Sequence, residues 1–212
     1  MYLTRMELNT RNIDTMRLLS SQEKIHGLVE SGFSGERKRN LWRLEYLGDR
    51  LYLLILSSDV PDLSSGVRRY GFPDDESAYQ TKDYTPLLER VKSDTWWHFK
   101  LVANPTKSVA GTPGERGQVK AYMTLKAQEE WLLSRASKHG FELLPENFQI
   151  VQRGWHIFSK GKDKGGKRVS INGVTYEGIL KVCDEDKFKE LLTGGIGRGK
   201  AYGMGLLTIV HI

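Results

Sequence analysis

The 212-residue chain contains a single cysteine, Cys183, and lacks any long uninterrupted run of apolar residues. One cysteine cannot form an intramolecular disulfide, and it nearly excludes a metal site built on several cysteines. No apolar stretch approaches the roughly 18 residues of a membrane-spanning helix. The opening MYLTRMEL alternates polar and apolar side chains, unlike a signal peptide. We therefore expect a cytoplasmic protein that has no membrane partner.

The composition shows a surplus of basic residues. Lys and Arg number 32 against 26 Asp and Glu, a formal net charge of +6. Hydrophobic residues make up 39% and charged residues 27%, which favours a folded chain over a disordered one. A basic surplus favours an anionic partner, nucleic acid before acidic membrane, although ordinary solubilising charge would give the same total.

Residues 1–90 carry the pattern of one ferredoxin-like unit, βαββαβ. Strands are predicted at 2–8, 41–47, 50–57 and 77–84, and a short second helix at 60–70. In the first helix, Ser20 is the expected N-cap and Glu23 the N3 residue of a capping box. Ile25, Leu28 and Val29 form the apolar stripe of that helix.

Residues 91–212 show the same order, although the two halves share no close sequence repeat. The predicted strands are 96–103, 148–159, 168–182 and 205–212, and the predicted helices are 124–139 and 184–192. The predicted fold class is therefore α+β, with two tandem ferredoxin-like (RRM-like) domains at 1–90 and 91–212.

Two basic segments, expected to be loops, interrupt the second half at 104–120 and 160–168. A hairpin tip as charged as KGKDKGGKR cannot be buried, because its lysines repel one another and need hydration. It can be a solvated loop, or it can enter a groove of RNA and bind phosphates. The candidate RNA-binding residues of the two segments are Lys107, Arg116, Lys120, Lys160, Lys162, Lys164, Lys167 and Arg168.

A glycine-rich stretch, GGIGRGKAYGMG at 194–205, is typical of a loop that holds phosphate. Its first glycine, Gly199 and Lys200 match the spacing of a nucleotide-binding P-loop. However, Ala201 replaces the Ser or Thr that binds magnesium, and the stretch follows a predicted helix and precedes a strand, the reverse of a P-loop. Nucleotide hydrolysis is therefore disfavoured.

The same stretch retains the features of a phosphate-binding backbone. It can be a tightly packed turn, and it can also lie against a polyphosphate chain through exposed N–H groups. The residues expected to contact RNA in this loop are Gly197, Arg198, Gly199 and Lys200.

GGIGRGKAYGMGLLTIV resembles the C-terminal signature of the RAMP proteins of CRISPR systems, and the whole chain resembles the CasE family. Matching stretches occur along nearly the full length. They are MYLTRMELN at the start, Lys24-Ile25-His26, LWRLE at 41–45, WHFKLVANPTK at 97–107, YEGILKV at 176–182 and the glycine-rich stretch. The resemblance implies two tandem ferredoxin-like domains, in agreement with the pattern above.

The resemblance also implies a function: cleavage of the CRISPR repeat stem-loop within a precursor RNA. In this family the ribose 2′-hydroxyl attacks the adjacent phosphate, the 5′-oxygen leaves and a 2′,3′-cyclic phosphate remains. The reaction needs no metal and no other cofactor. Family members usually keep the guide RNA and join the other subunits of the Cascade complex.

Histidine is the residue type best suited to move a proton near neutral pH. No two of the five histidines are spaced like metal ligands on one element, which fits a metal-free reaction. Structural roles are expected for His98, His139, His156 and His211. His26 lies at the edge of an apolar stripe, where a surface histidine is also typical. The resemblance implies that His26 is the catalytic histidine, as general acid or base.

The neighbours of His26 depart from the family pattern. Some members have a tyrosine one turn before this histidine and basic residues after it, where this chain has Glu23, Gly27 and Ser31. Glu23 can serve the capping box or approach His26, three residues later. Further candidates for binding the phosphate or stabilising its transition state are Lys24, Ser34 and Arg37, with Lys38 and Arg39 beside the last.

Three functions therefore remain open from the sequence. The first is an RNA endonuclease, the second an RNA-holding Cascade subunit with weak or no cleavage, and the third a P-loop enzyme. The changed residues around His26 keep the second open, whereas Ala201 argues against the third.

Overall fold

The computed structural model describes residues 1–112, 114, 117–160 and 167–212. It has a mixed α+β fold, which confirms the predicted class at this level. The part of the chain that it describes contains no helix long and apolar enough to cross a membrane. Two antiparallel sheets, one from each half of the chain, dominate the architecture.

The first half forms a four-stranded sheet, and α2 packs on one of its faces. Its elements are β1 (Tyr2–Leu8), α1 (Ile13–Leu19), α2 (Gln22–Ser31), β2 (Leu41–Leu47), β3 (Arg50–Ser57), α3 (Ser64–Tyr70), β4 (Tyr79–Asp83) and α4 (Thr85–Arg90). The strands lie in the order β2-β3-β1-β4. The predicted bounds of β1, β2 and β3 are confirmed, because clear alternation and the Gly48-Asp49 turn define them.

The second half forms the larger sheet. Its elements are β5 (Trp96–Ala103), β6 (Thr106–Val109), β7 (Gln118–Ala121), α5 (Leu125–Ala136), β8 (Phe141–Glu142), β9 (Phe148–Lys160), β10 (Lys167–Val182), α6 (Glu185–Gly194) and β11 (Leu207–His211). The strands follow the order β11-β5-β10, and β10 pairs with both β9 and β8. The predicted bounds of β5 are confirmed, and β9 and β10 flank the basic segment as predicted.

Some local predictions were wrong. The predicted capping box fails because α2 begins at Gln22 with Ser21 as N-cap, and Ser20 ends the preceding helix. Ser20 Oγ instead donates to the carbonyl of Arg17 at 2.8 Å. Part of the 104–120 segment is also not a loop, since β6 and β7 form a hairpin within it.

The first sheet is buried on both faces. Met6, Leu53 and Ile55 pack against Ile25 and Val29 of α2 on one face. The opposite face contributes residues such as Leu41 and Leu56 to the large core of the second half. One continuous core therefore joins the two halves.

A buried polar network crosses the same junction. Arg43 of β2 is 3% exposed and forms an ion pair with Glu45 at 2.6 Å. Its guanidinium also donates to the carbonyls of Lys100 at 3.0 Å and Leu206 at 3.1 Å, and to Thr208 Oγ1 at 2.9 Å. Burial lowers the pKa of Arg43, while Glu45 favours the charged form. Groups from both halves of the chain therefore pair with this buried guanidinium.

Candidate functional site

His26 is carried by α2, beside the stripe that anchors this helix. Ile25, Leu28 and Val29 are buried against the first sheet, and their spacing fixes the rotation of the helix. His26 follows Ile25 and reaches the boundary of the core, where its side chain is 20% exposed. The imidazole is therefore held in place and still reachable from solvent.

Two charged side chains flank the imidazole. Arg37 Nη2 donates to His26 Nε2 at 3.1 Å, and Arg37 Nε donates to Glu30 Oε2 at 2.8 Å. The other oxygen of Glu30 lies 3.9 Å from His26 Nδ1. Because a guanidinium can only donate, Nε2 is an acceptor in this arrangement and the ring proton lies on Nδ1, toward Glu30. In this contact the lone pair of Nε2 faces the Arg37 guanidinium.

Positive charge from separate segments collects around His26. A shallow depression is lined by His26, Glu30, Arg37, Lys38, Arg39, Asn40, Lys200 and Ala201. Burial lowers the pKa of the Lys200 ammonium, and the charge of Arg39 lowers it further. A bound anion would relieve this repulsion, so the depression suits a phosphate.

The glycine-rich stretch brings Lys200 to this depression. Lys200–Tyr202 form a 3₁₀ turn that packs against α2 and β2. The turn ends at Gly203, whose φ is +80° and whose missing side chain leaves room for Trp42: a Cβ would lie 2.8 Å from Trp42 Cζ3. The ring of Tyr202 lies edge-on to His26, with centroids 6.3 Å apart. The loop therefore forms one wall of the His26 site.

The structure brings only some of the predicted residues to His26. Arg37 contacts it directly, whereas Lys24 donates to the carbonyl of Arg17 and lines a different groove, between α1, α2 and α3. Ser34 is exposed in a neighbouring depression that shares Glu30 and Arg37. Glu23 is half-buried at the second position of α2, and Glu30 Oε1 lies 3.9 Å from His26 Nδ1.

Some predicted RNA-binding residues lie near the glycine-rich loop, and others lie on the β6–β7 hairpin and at the facing ends of β9 and β10. Gly197 and Arg198 lie beside Lys107 in a depression separate from the one that Lys200 lines, and Gly199 caps the turn that carries Lys200. Lys107 and Lys120 are exposed and paired across the β6–β7 hairpin, and Arg168 is exposed on β10. Lys160 and Lys167 end β9 and begin β10, whereas Arg116, Lys162 and Lys164 lie outside the described residues.

Sequence reasoning missed Glu30, Tyr202 and Arg135. Glu30 could have been found, because it stands one helical turn after His26 at i+4. Tyr202 reaches His26 only through the tertiary packing of the glycine-rich loop, 176 positions later in the sequence, and no local pattern indicates that contact. Arg135 lines the depression that contains Lys107 and Arg198.

His156 has a structural environment, as expected. Gln22 Nε2 lies 2.7 Å from His156 Nδ1, which joins β9 to α2. Burial lowers the pKa of His156, so this imidazole is neutral at pH 7 and accepts the amide hydrogen.

Comparison with known proteins places this geometry in a family. The pattern of a family described as CRISPR associated protein matches residues 1–211. CRISPR-associated endoribonuclease Cse3 of Thermus thermophilus is 29% identical, with 99% of each chain covered. A structure of Thermus thermophilus Cse3 bound to an RNA representing a pre-cleavage complex is 28% identical, with TM-score 0.75 and coverage of 99% of this chain and 98% of that one. A chain of a CRISPR RNA-guided surveillance complex shares the fold at 23% identity, with TM-score 0.69 and full coverage of both chains. The chain therefore belongs to the family of CRISPR-associated proteins that includes Cse3.

Proposed function

We propose that this chain is a metal-independent endoribonuclease that binds the stem-loop of a CRISPR repeat and cuts the precursor RNA into guide RNA. The carrying observation is that His26, in contact with Arg37, lies in a depression that Arg37, Arg39 and Lys200 make positive. The RNA-bound endoribonuclease Cse3, similar over the whole chain, supports the substrate class. After cleavage, the protein remains with its RNA as a Cascade subunit in the cytoplasm.

The chemistry follows from the donors around His26. Arriving RNA draws the exposed Arg37 from Nε2 to the scissile phosphate, and Nε2 then takes the proton of the 2′-hydroxyl. The 2′-oxygen forms a bond to phosphorus and the bond to the 5′-oxygen breaks, giving a 2′,3′-cyclic phosphate. The 5′-oxygen gains a proton from the imidazolium or from water and leaves as a hydroxyl. Arg37 and Lys200 stabilise the extra negative charge of the phosphorane.

We also propose that residues 1–90 and 91–212 are two ferredoxin-like domains. Each half follows the order βαββαβ when α1 and α2 are counted as one helical segment and the β6–β7 hairpin, the short β8 and the terminal α4 are set aside. The basic residues flanking and within 161–166 are proposed to contact the RNA stem.

The test is cleavage of the CRISPR repeat hairpin encoded with this protein, in excess EDTA. We expect products with a 2′,3′-cyclic phosphate and a 5′-hydroxyl, and loss of cutting but not of binding in His26→Ala. His98→Ala, which changes an exposed histidine of β5, is the matched control. Cutting that survives in His26→Ala, or that requires a metal, contradicts the proposal.

One observation favours a second candidate, an RNA-holding subunit without cleavage. Arg37 covers His26 Nε2, and Gly27 and Ser31 stand where some relatives have basic residues. If Arg37 stays in place when RNA binds, the hairpin would be shifted on a gel without being shortened. Product analysis separates the two candidates.

A further inference from the structure

The glycine-rich loop lines a second basic depression besides the one at His26. This depression is lined by three cations from three separate elements: Lys107 of β6, Arg135 of α5 and Arg198 of the loop. Gly197 and the hydroxyl-bearing Thr106, Ser108 and Ser134 share the lining, with Glu130 as its one carboxylate among the described residues. The sequence gives no sign of this convergence, because the three cations are distant in the chain.

Aromatic rings, rather than carboxylates, support two of these cations. Arg135 Cζ lies 4.3 Å from the ring centroid of Trp131, and Lys107 Nζ lies 5.6 Å from that of Tyr122. Among the described residues, no carboxylate forms an ion pair with Lys107, Arg135 or Arg198, and this includes the carboxylate of Glu130. Stacking on a ring occupies the face of a guanidinium and leaves its N–H donors available at the edge.

The glycine-rich loop comes close enough to take part only because Gly197 has no side chain. Its φ is +76°, and a Cβ would lie 3.1 Å from Trp131 Cζ2. Arg198 lines this depression and Lys200 lines the one at His26. Their Cα atoms are within about 7.6 Å of each other, because two consecutive Cα spacings separate them. The two depressions therefore adjoin each other and can serve one extended chain of phosphates.

The electrostatics of His139 link the two depressions. Burial lowers the pKa of His139, and the charges of Arg135 and Lys200 lower it further. One histidine is thus close to a cation of each depression. This arrangement accumulates positive charge that a polyanion would neutralise.

We infer that Lys107, Arg135 and Arg198 form a second phosphate-binding subsite, which holds the RNA backbone beside the phosphate at His26. This inference rests on the proposed function. The subsite supplies affinity and places the strand, whereas proton transfer occurs at His26. Arg135 is the residue that it adds to the RNA-binding surface.

The experiment measures repeat-hairpin affinity over a range of salt concentrations in the His26→Ala background, where the RNA stays intact. Arg135→Gln should weaken binding about 10-fold and reduce the slope of log K against log salt by about 1, as for the loss of one phosphate contact. Arg135→Lys should recover part of the affinity. Lys82→Gln, on the edge strand β4, is the charge-matched control.

Kinetics with His26 intact separate the subsite from the catalytic centre. Arg135→Gln should raise KM about 10-fold while kcat falls far less than in His26→Ala. A parent-like affinity and salt slope in both Arg135→Gln and Lys107→Gln would overturn the subsite, with the proposed function still standing. The two variants together guard against a folding defect in one. A parent protein that neither binds nor cuts the hairpin would overturn both proposals.

Discussion

Arg37 Nη2 lies 3.1 Å from His26 Nε2, and the two residues are eleven positions apart in sequence. Nε2 is the nitrogen that would accept the proton of a substrate hydroxyl in the proposed reaction. The contact belongs to a pair, because Arg37 Nε is held at 2.8 Å by Glu30. Arg37 is 75% exposed, so it can move with little loss of packing. In the proposed reaction, Arg37 covers the lone pair of His26 before RNA binds and then moves to a phosphate.

Replacing Arg37 should therefore slow the chemical step. We expect Arg37→Ala to lower the single-turnover cleavage rate about 100-fold, since one donor to the transition state is lost. Arg37→Lys should retain part of the rate, because it keeps the charge but not the planar fork. Arg17→Ala removes another exposed arginine, paired with Asp14 on α1, and is the control. If Arg37→Ala cleaves at the same rate as the parent, the guanidinium does not contribute to the reaction.

Gly203 should tolerate no side chain. Gly203→Ala places a Cβ against Trp42 at a φ of +80°, and we expect about 1–3 kcal/mol lower unfolding free energy. Cleavage should also fall, because the same turn carries Lys200 and Tyr202. Gly194→Ala, at the end of α6 with no atom within 4 Å of the added Cβ, should leave stability unchanged or slightly raised. Urea denaturation of both variants checks this difference, and equal stabilities would contradict it.

His139 should make both stability and RNA affinity depend on pH. Its pKa is lowered by burial and then by Arg135, Lys200 and Lys138, so the unfolded chain takes up its proton more readily. This contribution to stability is present above the unfolded pKa of about 6.5 and is lost as pH falls through the lower folded pKa. A bound phosphate would offset the neighbouring cations and raise the pKa, so RNA affinity should increase on acidification.

The variant His139→Asn isolates these effects. His156 also has a lowered pKa and adds its own loss of stability in acid, so only the difference between parent and variant reports on His139. We expect the variant, in the His26→Ala background, to lose part of the gain in affinity between pH 7.5 and pH 5.5. An identical pH dependence of hairpin binding in parent and variant would show that no phosphate comes near His139.

The local sequence pattern is sufficient to predict many of the strands and helices. Strands such as Leu41–Leu47 and Trp96–Ala103 were predicted with their bounds, because alternation and turn residues act over a few positions. The predicted cap at Ser20 was wrong because two short helices meet there, and either Ser20 or Ser21 fits the N-cap preference. Hairpin β6–β7 was missed because glycine and proline between the strands are equally typical of a loop.

The candidate site was less accessible to sequence reasoning. His26 was singled out by family resemblance, since its helical position alone is that of many surface histidines. Its partner Arg37 lies in an irregular loop, and the approach of Lys200 and Tyr202 depends on how the second half packs on the first. Long-range contacts of this kind have no signature in spacing or composition.

The hydrogen bonds of the buried Arg43 guanidinium constrain the order in which the chain can fold during synthesis. Its partners Leu206 and Thr208 follow it by 163 and 165 residues, almost at the end of the chain. At roughly 5–20 residues per second on a ribosome, at least about eight seconds separate the synthesis of donor and acceptors. During that time Arg43 can pair with Glu45 in its own strand, but its acceptors Leu206 and Thr208 are still missing. We therefore expect the proposed ribonuclease to reach its active form only after residues 206–208 have left the ribosome, which would limit cleavage of cellular RNA by an incomplete chain.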